Sequence, residues 1–354
     1  VGSEMCIRDS FCMCFPDVYE IGMSHLGIQI LYDMFNRRED TWCERVYSPW
    51  PDLDAEMREH DIPLFALESQ DPIKDFDFLG ITLQYEMCYT NILQVLDLAG
   101  IPLRTRDRKK GDTLVIGGGP CSYNPEPIAD FFDIFYMGEG EVSYDALLEL
   151  YKVYKHSDMT REEFLIKVSN IPGLYVPELY EVTYKEDGTI ASFAPRFEDV
   201  PATITKTVVM DHSKVTYPEK PVVSFMKLTQ DRVVLEIMRG CIRGCRFCQA
   251  GMIYRPTRPK DVNLLKGYAE KMLASTGHEE ITFSSLSSSD YEELPELTDC
   301  LIEKMDNEHV NISLPSLRID AFSLDVMSKI QDVKKSSLTF APEAGTQRLR
   351  NVIN

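Results

Sequence analysis

Residues 233–248 read VVLEIMRGCIRGCRFC. The first eight read as a strand that ends at Gly240 and leads directly into Cys241, Cys245 and Cys248. Three thiolates spaced C-x3-C-x2-C on one short loop can wrap a single soft metal centre. Three ligands leave a fourth coordination position open, which separates reactive centres from structural ones. The structural alternative is zinc with a fourth ligand elsewhere. Zinc knuckles and ribbons use paired C-x2-C units, whereas His278 and Cys300 stand alone here. The remaining cysteines, at 6, 12, 14, 43, 88, 121 and 300, are scattered and form no constellation.

Downstream of the loop, apolar strand patterns at 281–289, 311–319 and 336–345 alternate with helical ones at 262–275, 294–308 and 323–332. Counting the strand that opens at residue 233, this predicts four βα units, a partial (β/α) TIM-type barrel whose site forms at the carboxyl ends of its strands. Polar residues stand at those ends. Ser284, Ser285 and Ser287 occupy the end of the second strand, Ser316 and Arg318 end the third, and Glu343 ends the fourth. Between Arg239 and Lys260 lie six basic residues, at 239, 243, 246, 255, 258 and 260, and no acidic one. That reversal fits charge balance for an anionic thiolate centre, with Arg255 and Arg258 as receivers for a phosphate or carboxylate of a substrate or docking RNA.

Upstream, 11–19, 61–66, 76–84, 112–119 and 131–140 read as strands, and 23–38, 91–101 and 142–155 as helices. Strands alternating with helices indicate βαβ units and a doubly wound parallel sheet covered on both faces. Two glycine turns, Gly117-Gly118-Gly119 and Gly138-Glu139-Gly140, fall where the strands' carboxyl ends belong. There glycine either admits a cofactor to the backbone or simply satisfies a tight turn. Residues 156–230 change character, with prolines at 172, 177, 195, 201, 218 and 221 and a hairpin turn at Glu186-Asp187-Gly188. The expected division is 1–10 as a non-native segment, 11–155 as the doubly wound domain, 156–230 as a linker subdomain and 231–354 as the barrel. Asn354 stops inside a helical pattern, so a C-terminal part is expected to be missing.

Composition bounds the function. The 354 residues suffice for about two or three domains, and 44% hydrophobic with 27% charged residues is an ordinary globular balance. Thirty-seven Lys+Arg against 57 Asp+Glu give a net charge of −20, which argues against coating DNA or RNA. No run approaches the roughly 20 apolar residues of a membrane span and no signal pattern opens the chain. The expected compartment is the cytoplasm.

The cysteine loop, with Phe247 just before its third cysteine, followed by βα units, resembles the radical S-adenosylmethionine (SAM) superfamily. FPDVYEIGMSHLGIQILY (15–32), LGITLQYEMCYTNILQVLDLAG (79–100), VIGGGP (115–120) and FYMGEGE (135–141) resemble the cobalamin-binding-like Rossmann domain that precedes many such enzymes. The first resemblance implies a 4Fe-4S cluster on Cys241, Cys245 and Cys248, and SAM contacts from Phe247, Ser285, Ser287, Ser316, Arg318 and Glu343. It also implies a reductant such as flavodoxin or ferredoxin. The second implies cobalamin at Gly117, Gly118, Gly119, Gly138 and Gly140. The cobalt-ligating motif of the base-off form, DxHxxG, is not matched by Met23-Ser24-His25-Leu26-Gly27-Ile28. His25 therefore reads as a core or helix-start residue. Corrinoid held without histidine and no corrinoid at all both stay open. SLRID (316–320) and APEAGTQRLR (341–350) most resemble the methylthiotransferase-like branch. The implied activity is reductive cleavage of SAM for methylation, with sulfur insertion beside a vestigial first domain as the second reading. A non-catalytic iron–sulfur electron carrier is a third, although carriers normally use four cysteines. The substrate is RNA, protein or a small molecule.

Overall fold

Every residue of β1, Asp9–Phe15, is buried, as suits a strand covered on both faces of a parallel sheet. The computed structural model describes residues 8–224, 226–305, 310–316 and 342–353. The chain divides into two compact units, Val1–Val209 and Met210–Asn354.

In the first unit β1 is followed by the short helix α1, Tyr19–Gly22, and by α2, Leu26–Asn36. The helix expected from residue 23 starts later because His25 is its N-cap, its Nδ1 accepting from the Ile28 N–H at 3.3 Å. Then come β2, Thr41–Tyr47, α3, Pro51–Glu59, β3, Phe78–Thr82, and α4, Tyr89–Ala99. The last of these ends at Gly100 in the left-handed conformation, the usual glycine stop. After β4, Leu114–Gly118, and β5, Ile134–Tyr136, α5 spans Tyr144–Lys155 and α6 Arg161–Ser169, and β6 is Leu174–Tyr175. The sheet order is β2-β1-β3-β4-β5-β6. All pairs are parallel except β5 with β6. This is a doubly wound α/β sheet whose order reverses between β1 and β3, where such folds open their ligand crevice at the carboxyl ends.

Two sequence expectations are corrected here. Residues 61–66 form no strand; Phe65 makes an isolated bridge to Pro72. The second strand is instead β2, whose Glu44 and Arg45 disguise it. Both are buried, Glu44 accepting from Trp42 Nε1 at 2.6 Å and Ser69 Oγ at 2.9 Å, and Arg45 pairing with Glu68 at 2.8 Å. In addition, Asp9 and Ser10, set aside with the non-native opening, belong to β1. The register puts Asp9 opposite Thr41, and Ser10 Oγ donates to Asp77 Oδ2 at 3.0 Å. The 156–230 stretch is shared between the units. Through Val209 it belongs to the first, which includes a hairpin of β7, Tyr180–Tyr184, and β8, Ile190–Pro195, turning at Gly188.

The second unit opens with β9, Val233–Glu236, and β10, Met238–Arg239, then α7, Gln249–Ile253, and β11, Arg258–Pro259. Next are α8, Val262–Thr276, β12, Glu280–Ser284, α9, Leu294–Met305, and β13, Asn311–Ser313. Asp261 caps α8 by accepting from the Asn263 and Leu264 N–H groups, and Gly277 ends it. β9, β12 and β13 lie side by side and parallel, in chain order. Consecutive parallel strands with a helix between each pair are the opening of a (β/α) barrel. Of the fourth βα unit expected at 323–345, only residues 342–345 are among those described. Among the described residues no helix is long and apolar enough to cross a membrane.

One buried ion pair ties the first unit together below β4 and β5. Arg108 and Asp133 have fully buried side chains 2.8 Å apart, and Asp133 also accepts from the Val115 N–H at 2.7 Å and from Arg161 at 2.5 Å. Removing one partner leaves a buried charge uncompensated. Asp133→Ala is therefore expected to lower the unfolding free energy by about 3–5 kcal/mol in urea titration of the whole chain, with its first-unit signal lost at lower denaturant.

Candidate functional site

The cysteine loop leaves β10 through Gly240, whose φ of +80° is open to glycine and where a Cβ would lie 2.5 Å from the Pro256 carbonyl oxygen. Its two ends are zipped together, since β10 and β11 pair antiparallel with Arg239 opposite Arg258. Beneath them, Glu236 at the end of β9 receives Arg239 Nε and Lys260 Nζ, each at 2.8 Å. Its N–H donates to Tyr217 Oη at 3.1 Å, and Tyr217 Oη donates to the Val234 carbonyl at 2.8 Å. The Lys260 ammonium sits 4.0 Å from the Tyr217 ring centre. Burial works to raise the Glu236 carboxyl, but Lys260 and Arg239 outweigh it and hold it down to about 2. His212, almost fully buried and with neither ring nitrogen hydrogen-bonded among the described residues, is pulled down to about 4 by burial and by repulsion from Arg239 and Lys260.

Cys241, Cys245 and Cys248 are half-exposed free thiols. Cys248 caps α7, its Sγ accepting from the Gly251 N–H at 3.3 Å, and its own N–H donates to the Cys245 carbonyl at 3.0 Å. The Arg246 N–H donates to the carbonyl of Ile353, in the closing helix Gln347–Ile353, at 3.0 Å. By contrast, Cys12, Cys14, Cys43, Cys88 and Cys121 are buried. Burial pushes the Cys14 thiol far up and Cys121 up to about 11, so these are inert core residues. Among the described residues no three His, Cys, Asp or Glu side chains are gathered closely enough to hold a metal ion. The three loop thiols thus share a loop without converging on a point. As a donor set they fit a thiophilic cluster: three free, accessible sulfurs on eight residues at the carboxyl end of a barrel strand.

The other expected residues divide. Phe247 is 59% exposed beside the thiols, with Ile242 and Met252 also exposed. Ser285 and Ser287 follow β12, but their hydroxyls are engaged by protein: Ser285 Oγ with Ser288 Oγ at 3.0 Å, and Ser287 Oγ, 2% exposed as a residue, donating to Asp290 at 2.7 Å. Ser316 and Glu343 are exposed. Arg318 lies outside the described residues. Of the six basic residues of the loop region, Arg258 is buried and donates to the carbonyls of Pro256 and Tyr254, which corrects the expectation that it receives a phosphate. Arg243 pairs with Asp290, while Arg246 and Arg255 are exposed. Sequence reading missed Glu236, Asp290 and His212. A lone acid closing the apolar run VVLE and an Asp closing SSSD were the available signals.

In the first unit the glycine turns face their own chain. A Cβ at Gly119 would stand 2.9 Å from the Leu83 carbonyl oxygen, and one at Gly138 2.3 Å from that of Thr207. Gly117 is crowded by Phe135 and Leu83, Gly140 by Leu31, while Gly118 has ordinary room. His25 packs 5.3 Å from Phe15, and loss of hydration holds its imidazole down to about 4 against a side-chain bond to Gln84.

Comparisons with known proteins bear on the family and the fold. The family model described as "Radical SAM proteins, N-terminal" matches residues 27–177, and that of the radical SAM superfamily matches 235–354. An uncharacterized protein of Methanocaldococcus jannaschii, MJ0966, is 29% identical over 342 residues, covering 96% of this chain. The chain spans 61% of that relative's length. Among solved structures, the cobalamin-dependent SAM radical enzyme OxsB, with aqua-cobalamin and SAM bound, aligns over 94% of this chain and 42% of its own with a TM-score of 0.54 and 13% identity. The radical SAM methyltransferase TsrM from Kitasatospora setae, with cobalamin and a [4Fe-4S] cluster bound, aligns over 92% of this chain and 56% of its own with a TM-score of 0.52 and 12% identity. At these identities the likeness to both is one of fold.

The titration of His212 makes a prediction. The unfolded chain takes up its proton near 6.5 and the folded chain only near 4. Between these values the unfolded state binds more protons, so stability falls as pH is lowered through the window. From pH 7 to 4 the unfolding free energy should fall by roughly 3 kcal/mol more in the wild type than in His212→Leu, read by urea titration across pH.

Proposed function

The chain belongs to the radical SAM superfamily, and from that footing we propose that it is an enzyme whose Cys241, Cys245 and Cys248 hold a 4Fe-4S cluster and whose barrel mouth binds SAM. When bound, the cluster supplies the electron that cleaves SAM to methionine and a 5′-deoxyadenosyl radical. The observation that carries the reading is the set of three accessible thiols at the carboxyl end of β9, in a chain whose other buried cysteines are inert. The residues of the chain supply the rest. Glu236, Arg239 and Lys260 fix the loop's base. Phe247, Ile242 and Met252 add exposed apolar surface on and beside the loop. Backbone groups of 284–287, Ser316, Arg318 and Glu343 contact SAM, since the hydroxyls of Ser285 and Ser287 already serve Ser288 and Asp290. Exposed Arg246 and Arg255 suit an acidic reductant of the flavodoxin or ferredoxin kind.

The reaction proposed is methylation or a related modification, with the first unit binding a corrinoid. The names of OxsB and TsrM support it, as does the strand order, which opens a crevice at the ends of β1 and β3. A second reading, radical chemistry with a first unit that holds no corrinoid, is favoured by one observation: Gly117, Gly119, Gly138 and Gly140 are crowded by the unit's own atoms.

Anaerobically reconstituted protein is expected to hold about four iron and four sulfide per chain, with each of Cys241→Ala, Cys245→Ala and Cys248→Ala abolishing the cluster. With dithionite and SAM it should release 5′-deoxyadenosine. Stoichiometric zinc without sulfide would sink this reading. Spectra taken with and without cobalamin separate the two readings of the first unit. If a corrinoid binds, electron paramagnetic resonance (EPR) of its cob(II)alamin form should show no nitrogen splitting that depends on His25, because that imidazole caps α2; splitting lost in His25→Ala would reverse the assignment.

A further inference from the structure

Arg243 is the middle of the three residues between Cys241 and Cys245, and its guanidinium grips Asp290 at two points. Nε lies 3.0 Å from Oδ2, and a second nitrogen makes a close contact with Oδ1. Asp290 ends the single turn Ser288–Asp290 that follows β12, and its side chain is 7% exposed. Ser287 Oγ donates to the same Oδ2 at 2.7 Å. The adjacent Ser288 Oγ donates to the Pro315 carbonyl beyond β13 at 2.8 Å and lies 3.0 Å from Ser285 Oγ. A series of short polar links therefore runs from inside the C-x3-C segment to the carboxyl ends of β12 and β13.

A two-point guanidinium–carboxylate fork sets angle as well as distance, which a single ammonium contact does not. The fork's other end is anchored in a buried turn. Its guanidinium is thus committed to a carboxylate.

We infer that Arg243 and Asp290 are positioning residues: the fork holds the cysteine loop in register with the end of β12, so that a group on the thiols meets a group bound at the strand ends. The inference rests on the reading that these thiols hold the cluster. Neither residue touches the reacting atoms, and Ser287 orients Asp290.

The test uses Asp290→Asn, Arg243→Lys and the charge-swapped pair Arg243→Asp with Asp290→Arg, all in the whole chain. The EPR spectrum of the reduced cluster is titrated with SAM, and iron is counted in each sample. Both single variants should keep full iron yet need about tenfold more SAM for the half-maximal spectral change, and the swapped pair should recover most of it. Single variants that titrate like the wild type, with iron intact, overturn the inference. Arg243→Lys keeps the charge while losing the fork, and it decides the matter if Asp290→Asn does not fold. Should the wild type take up no iron, the cluster reading falls, and hydrogen exchange at 241–248 in the metal-free chain still judges the fork. Exchange about tenfold faster in Asp290→Asn or Arg243→Lys supports it; unchanged exchange overturns it.

Discussion

Glu236 closes β9 with a buried carboxylate gripped by Arg239 from the strand that enters the cysteine loop and by Lys260 from the segment that leaves it. The loop hangs from that knot. Both cations approach to 2.8 Å, Tyr217 Oη bonds the Glu236 N–H and the Val234 carbonyl, and the antiparallel β10–β11 pair holds entry beside exit. Burying three charges costs hydration that their mutual attraction repays only with good geometry. The gain here is position: the long excursion between Gly240 and Thr257 starts and finishes at fixed points, which offsets the entropic cost of closing it.

The same logic explains where the local positive charge goes. In a chain of net charge −20, six basic residues near three thiols suggest an open cationic face. Arg239, Lys260, Arg243 and Arg258 are instead turned inward to carboxylates and carbonyls. The surface left around the thiols is mainly apolar, from Ile242, Phe247 and Met252, with Arg246 and Arg255 exposed nearby.

The first unit shows a different economy of polar groups. Its buried charges, Arg108 with Asp133 and Arg45 with Glu68, are structural clips. The residues that a family resemblance would assign to a cofactor are largely answered by the unit itself. His25 caps a helix, and four of the five turn glycines are crowded by neighbouring chain.

What the sequence determined by itself was local. The spacing of Cys241, Cys245 and Cys248 and the apolar runs of β1, β3, β4, β5, β9 and β12 rest on neighbours within a few residues, where propensity and pattern speak directly. β2 escaped because its Glu44 and Arg45 look like solvent-facing charges until Ser69 and Glu68, over twenty positions away, receive them. The run at 61–66 misled for the opposite reason, being apolar enough for a strand yet left without a strand partner. Only the tertiary structure decided that Ser287 serves Asp290, that Asp290 grips Arg243, and that Glu236 joins Arg239 to Lys260. A charge or hydroxyl carries no mark of its partner in the sequence; the partner is chosen by which strand ends the folded sheet brings within 3 Å of one another.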